Sequence, residues 1–201
     1  LEGSQALAQA CANLLVATNH IGRANNGLVA VWPRANEQGA WELGLRPLND
    51  LKSKVKESKA LYLVGVDLVG DNPAYAELLK NTDFMVVQEL FLTETAKQAN
   101  VVLPALAQTE REGSYTSGER RVQRFYPAVL PRPEARADFA ITGEVSLLLG
   151  QAAETQSAAR VFASIAEKVP AFKGLSYRLL AQVSEQWPII GHSDVYYGGT
   201  A

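Results

Sequence analysis

Cysteine is nearly missing from this chain, one in 201 residues, and histidine is scarce at two. A disulfide framework needs cysteines in pairs, and a thiolate-held zinc or iron–sulfur centre needs several close together, so Cys11 can build neither. His20 and His192 lie at opposite ends of the chain with no His-Glu-x-x-His pattern, so no metal site is expected. Charge of one sign is also missing: 19 Lys and Arg against 21 Asp and Glu leave a net charge of −2, far from the basic excess of a nucleic-acid binder. There is no long apolar run either. Residues 3–22 carry no charge, yet Ser4, Gln5, Gln9, Asn13, Thr18, Asn19 and His20 interrupt them, and a spanning helix needs about 20 predominantly apolar residues. With Glu2 as the one early charge, a secretory signal lacks its basic start. The chain opens on Leu1 rather than Met, which leads us to expect a piece of a longer polypeptide.

What is present is a globular composition, 47% apolar and 20% charged, for one domain or two packed halves. Leu7, Cys11, Leu14, Leu15 and Thr18 recur at helical spacing, predicting an amphipathic helix over 5–18 with Cys11 on its buried stripe. After a turn at 22–27, the apolar run Leu28 to Trp32 reads as a short strand. Lys52, Lys54, Lys56 and Lys59 belong to a charged stretch read as a solvated helix face or a linker. Ala60 to Val66 is continuously apolar, as a strand buried on both faces is. A helix is predicted over 74–80, a second strand over 84–88, a helix over 93–99 and a third strand over 101–103. This alternation is the rhythm of an α/β fold, an open, mostly parallel sheet with helices on both faces. Residues 108–134 read as one long connection, followed by helices over 138–150, 157–168 and 174–186 and an aromatic, glycine-rich tail.

Motifs of known chemistry fail one after another. Gly65 and Gly70 have the glycine spacing of a phosphate loop, but Asp71 and Asn72 follow where Lys and Ser/Thr are needed, and Asp67 would oppose an anion. Neither Gly-x-Gly-x-x-Gly nor Gly-x-Ser-x-Gly occurs. Gly65 therefore stands either as a turn after a buried strand or as part of a ligand crevice, since open α/β sheets bind ligands beyond the carboxyl ends of their strands. Thr93 and Glu94 suit a helix start. Arg120, Arg121 and Arg124 read as a surface ion network with Glu110, Glu112 and Glu119.

Taken together, several segments carry a resemblance: Asn36-Glu37-Gln38-Gly39-Ala40 with Glu42 and Gly44; Ala60 to Gly65; Phe84 to Glu89 with Phe91 to Ala96; Asn100 to Pro104; and Glu112-Gly113 with Glu119 to Gln123. In order and spacing over about residues 5–150 the chain resembles the molybdopterin-dinucleotide oxidoreductases, such as formate dehydrogenases, and their relative, the large iron–sulfur subunit of NADH:quinone oxidoreductase (respiratory complex I). The fold this implies is the Rossmann-like three-layer domain of formate dehydrogenase and DMSO reductase, over residues 1–150, with residues 151–201 as a helical extension. The molybdenum enzymes typically read Gly-Glu-Asn-Pro where this chain reads Gly65-Val66-Asp67-Leu68, Asn-Asn where it reads Ala35-Asn36, and Asp where it has Glu89; an Asn common near Ser117 is missing. The losses fall on cofactor loops and spare the apolar framework. The end of the chain, from Gln186-Trp187-Pro188 to Thr200, is similar to that of the complex I subunit.

The resemblance thus implies a cofactor-free, structural portion of that large complex I subunit, non-catalytic itself, in a proton-translocating NADH dehydrogenase parent whose iron–sulfur clusters lie in an N-terminal part outside this chain. Gly65, Asp67, Gln88, Glu89, Thr93, Glu94 and Thr95 would be remnants of the pterin pocket, with no molybdopterin, catalytic residue or metal expected. The implied partners are the other peripheral-arm subunits of complex I, on the cytoplasmic side of the membrane, without membrane insertion or nucleic acid. Two alternatives stand beside it: a piece of a genuine molybdopterin enzyme such as formate dehydrogenase, and a free-standing nucleotide-binding α/β protein, against which the failed phosphate motifs weigh.

Overall fold

The structure is a computed structural model that describes residues 4–21, 27, 31–118 and 120–182. In chain order its elements are α1 (Ser4–Ala17), α2 (Glu37–Glu42), α3 (Leu51–Glu57), β1 (Ala60–Val64), α4 (Leu68–Asp71), α5 (Tyr75–Leu79), β2 (Phe84–Glu89), β3 (Val101–Pro104), β4 (Gly113–Thr116), β5 (Val122–Phe125), α6 (Asp138–Leu148), α7 (Ala158–Lys168) and α8 (Tyr177–Leu180). They fall into two units interleaved along the chain: one holds residues 1–45, 114–125 and 162–201, the other 46–113 and 126–161.

The second unit is built on a parallel sheet in the order β1-β2-β3, with Leu61 beside Met85, Leu63 beside Val87, and Val87 beside Val102. Met85 and Val87 are buried in one core with Val55 of α3, Val69 of α4, Leu79 of α5 and Ala96, and Leu61, Leu63 and Tyr75 pack against it. The predicted strands at 60–66, 84–88 and 101–103 and the helix at 74–80 are all found, to within a residue or two, the first strand ending at Val64. The charged stretch is a helix rather than a linker. Asp50 caps α3 by accepting the Ser53 N–H at 3.0 Å, Val55 turns inward, and Lys52, Lys54 and Lys56 remain in solvent. Asn100 fixes the entry to β3, its side chain accepting the Met85 N–H at 2.7 Å while its own N–H bonds the Met85 carbonyl at 2.9 Å.

Sequence periodicity misplaced several elements. Residues 93–99 form only a single 3₁₀ turn, Ala96–Gln98, because Thr95 is drawn inward by hydrogen bonds and β3 must begin at Val101. The long connection over 108–134 contains the two-stranded β4–β5 sheet, with Arg120 in the left-handed region (φ 65°) between the strands. The stripe on α1 is not buried: Leu7 and Leu14 are 67% and 63% exposed, and Cys11 is half-buried. Val31 and Trp32 are not in a strand, and 28–30 lie outside the described residues, as do His192 and the predicted tail. Of the helix predicted over 174–186, Tyr177–Leu180 is helical and the part beyond 182 is outside the described residues. The arginine network also differs, for Arg120 pairs with Glu42 at 2.8 Å in the first unit and Glu110 with Arg132 at 3.9 Å in the second.

In the first unit Phe162, Phe172 and Tyr177 make a buried aromatic cluster, with ring centroids 6.0 and 5.1 Å apart and the Arg124 guanidinium 4.4 Å from the Tyr177 ring centre. In the second, α6 passes so close to residues 154–155 that a Cβ on Gly143 would lie 2.8 Å from the Glu154 carbonyl oxygen and 2.9 Å from Thr155 Cγ2. An exposed helical Gly→Ala change gains about 1 kcal/mol. Here overpacking against backbone dominates, and Gly143→Ala should cost about 1–3 kcal/mol by denaturant titration; a neutral or raised midpoint would contradict this packing.

Candidate functional site

The candidate residues all fall in the second unit, at the carboxyl end of its sheet. Gly65 follows β1 in the left-handed region (φ 62°), where a non-glycine residue would be strained, and its N–H donates to the Gln88 carbonyl at 3.0 Å. The chain then turns into α4, a single turn, with Asp67 as its cap.

Asp67 is engaged on several sides at once. Its Oδ1 accepts the Gly70 N–H at 3.0 Å, the Thr95 N–H at 2.9 Å and the Thr95 hydroxyl at 2.7 Å. Thr95 is completely buried, and its Oγ1 in turn accepts the Val69 N–H at 2.9 Å. The turn after β1 is thereby pinned to the turn after β2. Hydrogen bonds to the ionised form, that from the Thr95 hydroxyl foremost, hold the Asp67 carboxyl below the ordinary value for aspartate.

Gln88 is also completely buried, on the other face of β2. Its Oε1 accepts the Tyr62 hydroxyl, and its Nε2 donates to Asp138 Oδ1 at 2.7 Å. Asp138 opens α6 and forms an ion pair with Arg111. Both ends of the amide are thus occupied, as a buried side-chain amide requires. Glu89 accepts the N–H of its neighbour Leu90 at 2.7 Å, Thr93 accepts the Ala96 N–H at 3.2 Å, and the exposed Glu94 pairs with Lys97 at 2.5 Å. The structure therefore joins Asp67 to Thr95 directly and Gly65 to Gln88 through the backbone. Glu89, Thr93 and Glu94 stay on local partners. Tyr62, Arg111 and Asp138 complete the network, and no motif spacing marks them, since Asp138 lies 50 positions from Gln88.

In the first unit, Trp32, Arg34, Asn36, Glu37, Thr116 and Ser117 line a cleft of about 350 Å³. Asn36 is left-handed (φ 65°), and its Oδ1 accepts the Thr116 N–H at 2.9 Å. A Cβ on Gly39 would collide with that oxygen, so the Gln-Gly-Ala segment needs its glycine for this close approach. Gln38 accepts the Trp32 indole N–H at 3.1 Å and donates to Glu42 at 2.7 Å. Among the described residues no group of three or more His, Cys, Asp or Glu could hold a metal ion.

Two changes test the Asp67–Thr95 contact. Thr95→Val removes a donor from Asp67 and leaves the buried Val69 N–H without an acceptor, and should cost about 1–3 kcal/mol. Asp67→Asn keeps an acceptor for Gly70 but removes the charge. Because the folded-state pKa is lowered, the ionised form stabilises the fold fully above the unfolded-state pKa of about 3.9 and loses that effect as pH falls through the folded value. The stability difference between the parent chain and Asp67→Asn should hold from pH 7 to about pH 4 and shrink below it; a difference unchanged down to pH 2 would refute the assignment.

Comparison with known proteins adds an independent line. Residues 2–147 match the profile of the molybdopterin oxidoreductase family. The chain is 31% identical over an alignment of 218 positions to the F420-dependent formate dehydrogenase 2 subunit alpha of Methanococcus maripaludis, covering 90% of this chain and 32% of that protein. It is 32% identical to a putative formate dehydrogenase of Bacillus subtilis, with 89% and 22% covered, and 30% identical to the F420-dependent formate dehydrogenase subunit alpha of Methanocaldococcus jannaschii, with 96% and 34% covered. The chain spans about a third or less of the length of these curated relatives.

Proposed function

Because this chain belongs to the molybdopterin oxidoreductase family, we propose that it is a scaffold segment of the large subunit of an oxidoreductase of the formate dehydrogenase type. The observation that carries the parent's identity is the similarity to formate dehydrogenase subunits along nine-tenths of the chain. On this reading residues 1–150 are the family's α/β part and residues 151–201 its helical continuation.

The scaffold role follows from how the candidate residues spend their polar groups. A pterin dinucleotide brings a pyrophosphate, which calls for cations and free N–H donors. The edge beyond β1 and β2 offers three carboxylates, Asp67, Glu89 and Glu94, and its basic residue Lys97 is paired with Glu94. Asp67, Thr95 and Gln88 are turned onto protein partners. These seven residues do not fit that group. We assign Gly65, Asp67, Gln88 and Thr95 to holding the sheet edge, so that cofactor contacts in a formate dehydrogenase-type parent come from elsewhere.

A second reading is favoured by the same loop. Gly65-Val66-Asp67-Leu68 replaces the sequence usual in the molybdenum enzymes, and its one acidic side chain serves as a structural clasp. That suits the large iron–sulfur subunit of respiratory complex I, where this part of the chain would be architectural, the electrons would run through clusters elsewhere in the parent, and the partners would be peripheral-arm subunits on the cytoplasmic side of the membrane. Among the described residues no helix is long and apolar enough to cross a membrane. The named relatives weigh toward formate dehydrogenase.

Metal content of the full-length parent separates the two. Elemental analysis should find stoichiometric molybdenum or tungsten, with a fluorescent pterin released on oxidation and formate-dependent dye reduction. A parent free of both metals and of pterin that supports NADH oxidation would overturn the formate dehydrogenase assignment in favour of the complex I subunit.

A further inference from the structure

The cleft of about 350 Å³ in the first unit has a smaller neighbour of about 120 Å³, and Asn36 and Thr116 line both. The two cavities differ in chemistry. Leu43, Phe162, Ile165 and Phe172 make the smaller one largely apolar, whereas Arg34, Glu37 and Ser117 line the larger one beside Trp32. Apolar walls with a few convergent polar groups are the form of a small-molecule site.

Three polar groups here lack a protein partner. Thr116, at the junction of the cavities, is 5% exposed, yet among the described residues its hydroxyl makes no hydrogen bond. Buried hydroxyls are as a rule hydrogen-bonded, so this one takes its partner from whatever fills the cavities. Arg34 and Glu37 are the other two. They line one cleft with opposite charges, and among the described residues neither forms an ion pair, with the other or with any third group. Asn36, between them in sequence, holds a left-handed φ of 65° with its side chain bonded to the Thr116 N–H. Strained backbone of this kind clusters at ligand-binding sites.

We propose that the two cavities together bind a free α-amino acid with a branched aliphatic side chain. Its carboxylate accepts from the Arg34 guanidinium, which suits planar, two-pronged contact, and from the Thr116 hydroxyl. Its ammonium meets Glu37, and its side chain enters the smaller cavity. Size sets the class of side chain: a dry cavity of about 150 Å³ holds benzene, and this one, at about 120 Å³, takes a smaller apolar group. The charges set the rest. A simple carboxylate would leave Glu37 unpaired, and a simple amine would leave Arg34 so. A pterin dinucleotide suits the lining poorly, because its pyrophosphate would face one guanidinium and a carboxylate. The inference goes beyond the scaffold reading of the sheet edge, which concerns the other unit, and holds for either parent.

Isothermal titration calorimetry of the full-length parent with L-leucine tests this. Saturable binding is expected. Isocaproate, isoamylamine and glycine lack the ammonium, the carboxylate and the side chain in turn, and each should bind at least about tenfold more weakly. Arg34→Gln, at an exposed position, should weaken leucine by at least about tenfold. Glu37→Gln should narrow the gap between leucine and isocaproate, because it removes the partner of the ammonium alone. Thr116→Val takes away a hydroxyl that no described protein group uses, so the unfolding midpoint should hold while leucine affinity falls. No saturable heat with L-leucine at millimolar concentration would sink the proposal. So would isocaproate binding as tightly as leucine, or an unchanged leucine affinity in Arg34→Gln. The two charge substitutions lie outside the buried core, so they decide the matter even where Thr116→Val does not fold.

Discussion

Thr95 is completely buried, yet its hydroxyl is satisfied in both directions, donating to the Asp67 carboxylate and accepting the Val69 N–H. That pair of bonds joins the turn leaving β1 to the turn leaving β2. In an open parallel sheet the strands are connected only by long crossovers, so nothing local fixes how the ends of neighbouring strands sit. A carboxylate taking three bonds at 2.7–3.0 Å supplies that constraint. The placement of α4, and with it of Val69 in the core, depends on it.

On the opposite side of β2 the same logic recurs with an amide. Gln88 is buried between Tyr62 of β1 and Asp138 at the start of α6, and Asp138 is held in turn by Arg111. Burying an amide without partners would cost about 1–3 kcal/mol by protein measurements; with both ends met it fixes one orientation of α6 against the sheet. The two networks occupy Asp67, Thr95 and Gln88 at the end of the sheet where open α/β folds commonly meet a ligand.

Much of the second unit was legible in the residues. Continuous apolar runs at 60–66 and 84–88 read as neighbouring parallel strands, and the spacing between them fitted one crossover, although Tyr62, Val64 and Phe84 are less buried than a strand covered on both faces would have them. Less legible were the elements whose shape is set by distant partners. Thr93 and Glu94 looked like a helix start, but the pull on Thr95 leaves a single 3₁₀ turn. The β4–β5 sheet hid in a polar stretch because its strands are four residues long and half-buried, too short for a period to register.

By itself the sequence determined the α/β class and the parallel strands, because these depend on composition and local period, and the resemblance of its segments pointed to the molybdopterin oxidoreductase family. Tertiary structure alone decided which partners the candidate residues meet. Asp67 could have faced an open crevice or a neighbouring turn, and Gln88 a ligand or a helix, with no change in their spacing along the chain. Their partners lie 28 and 50 positions away along the chain, because a buried polar group takes whatever partner the fold brings within about 3 Å.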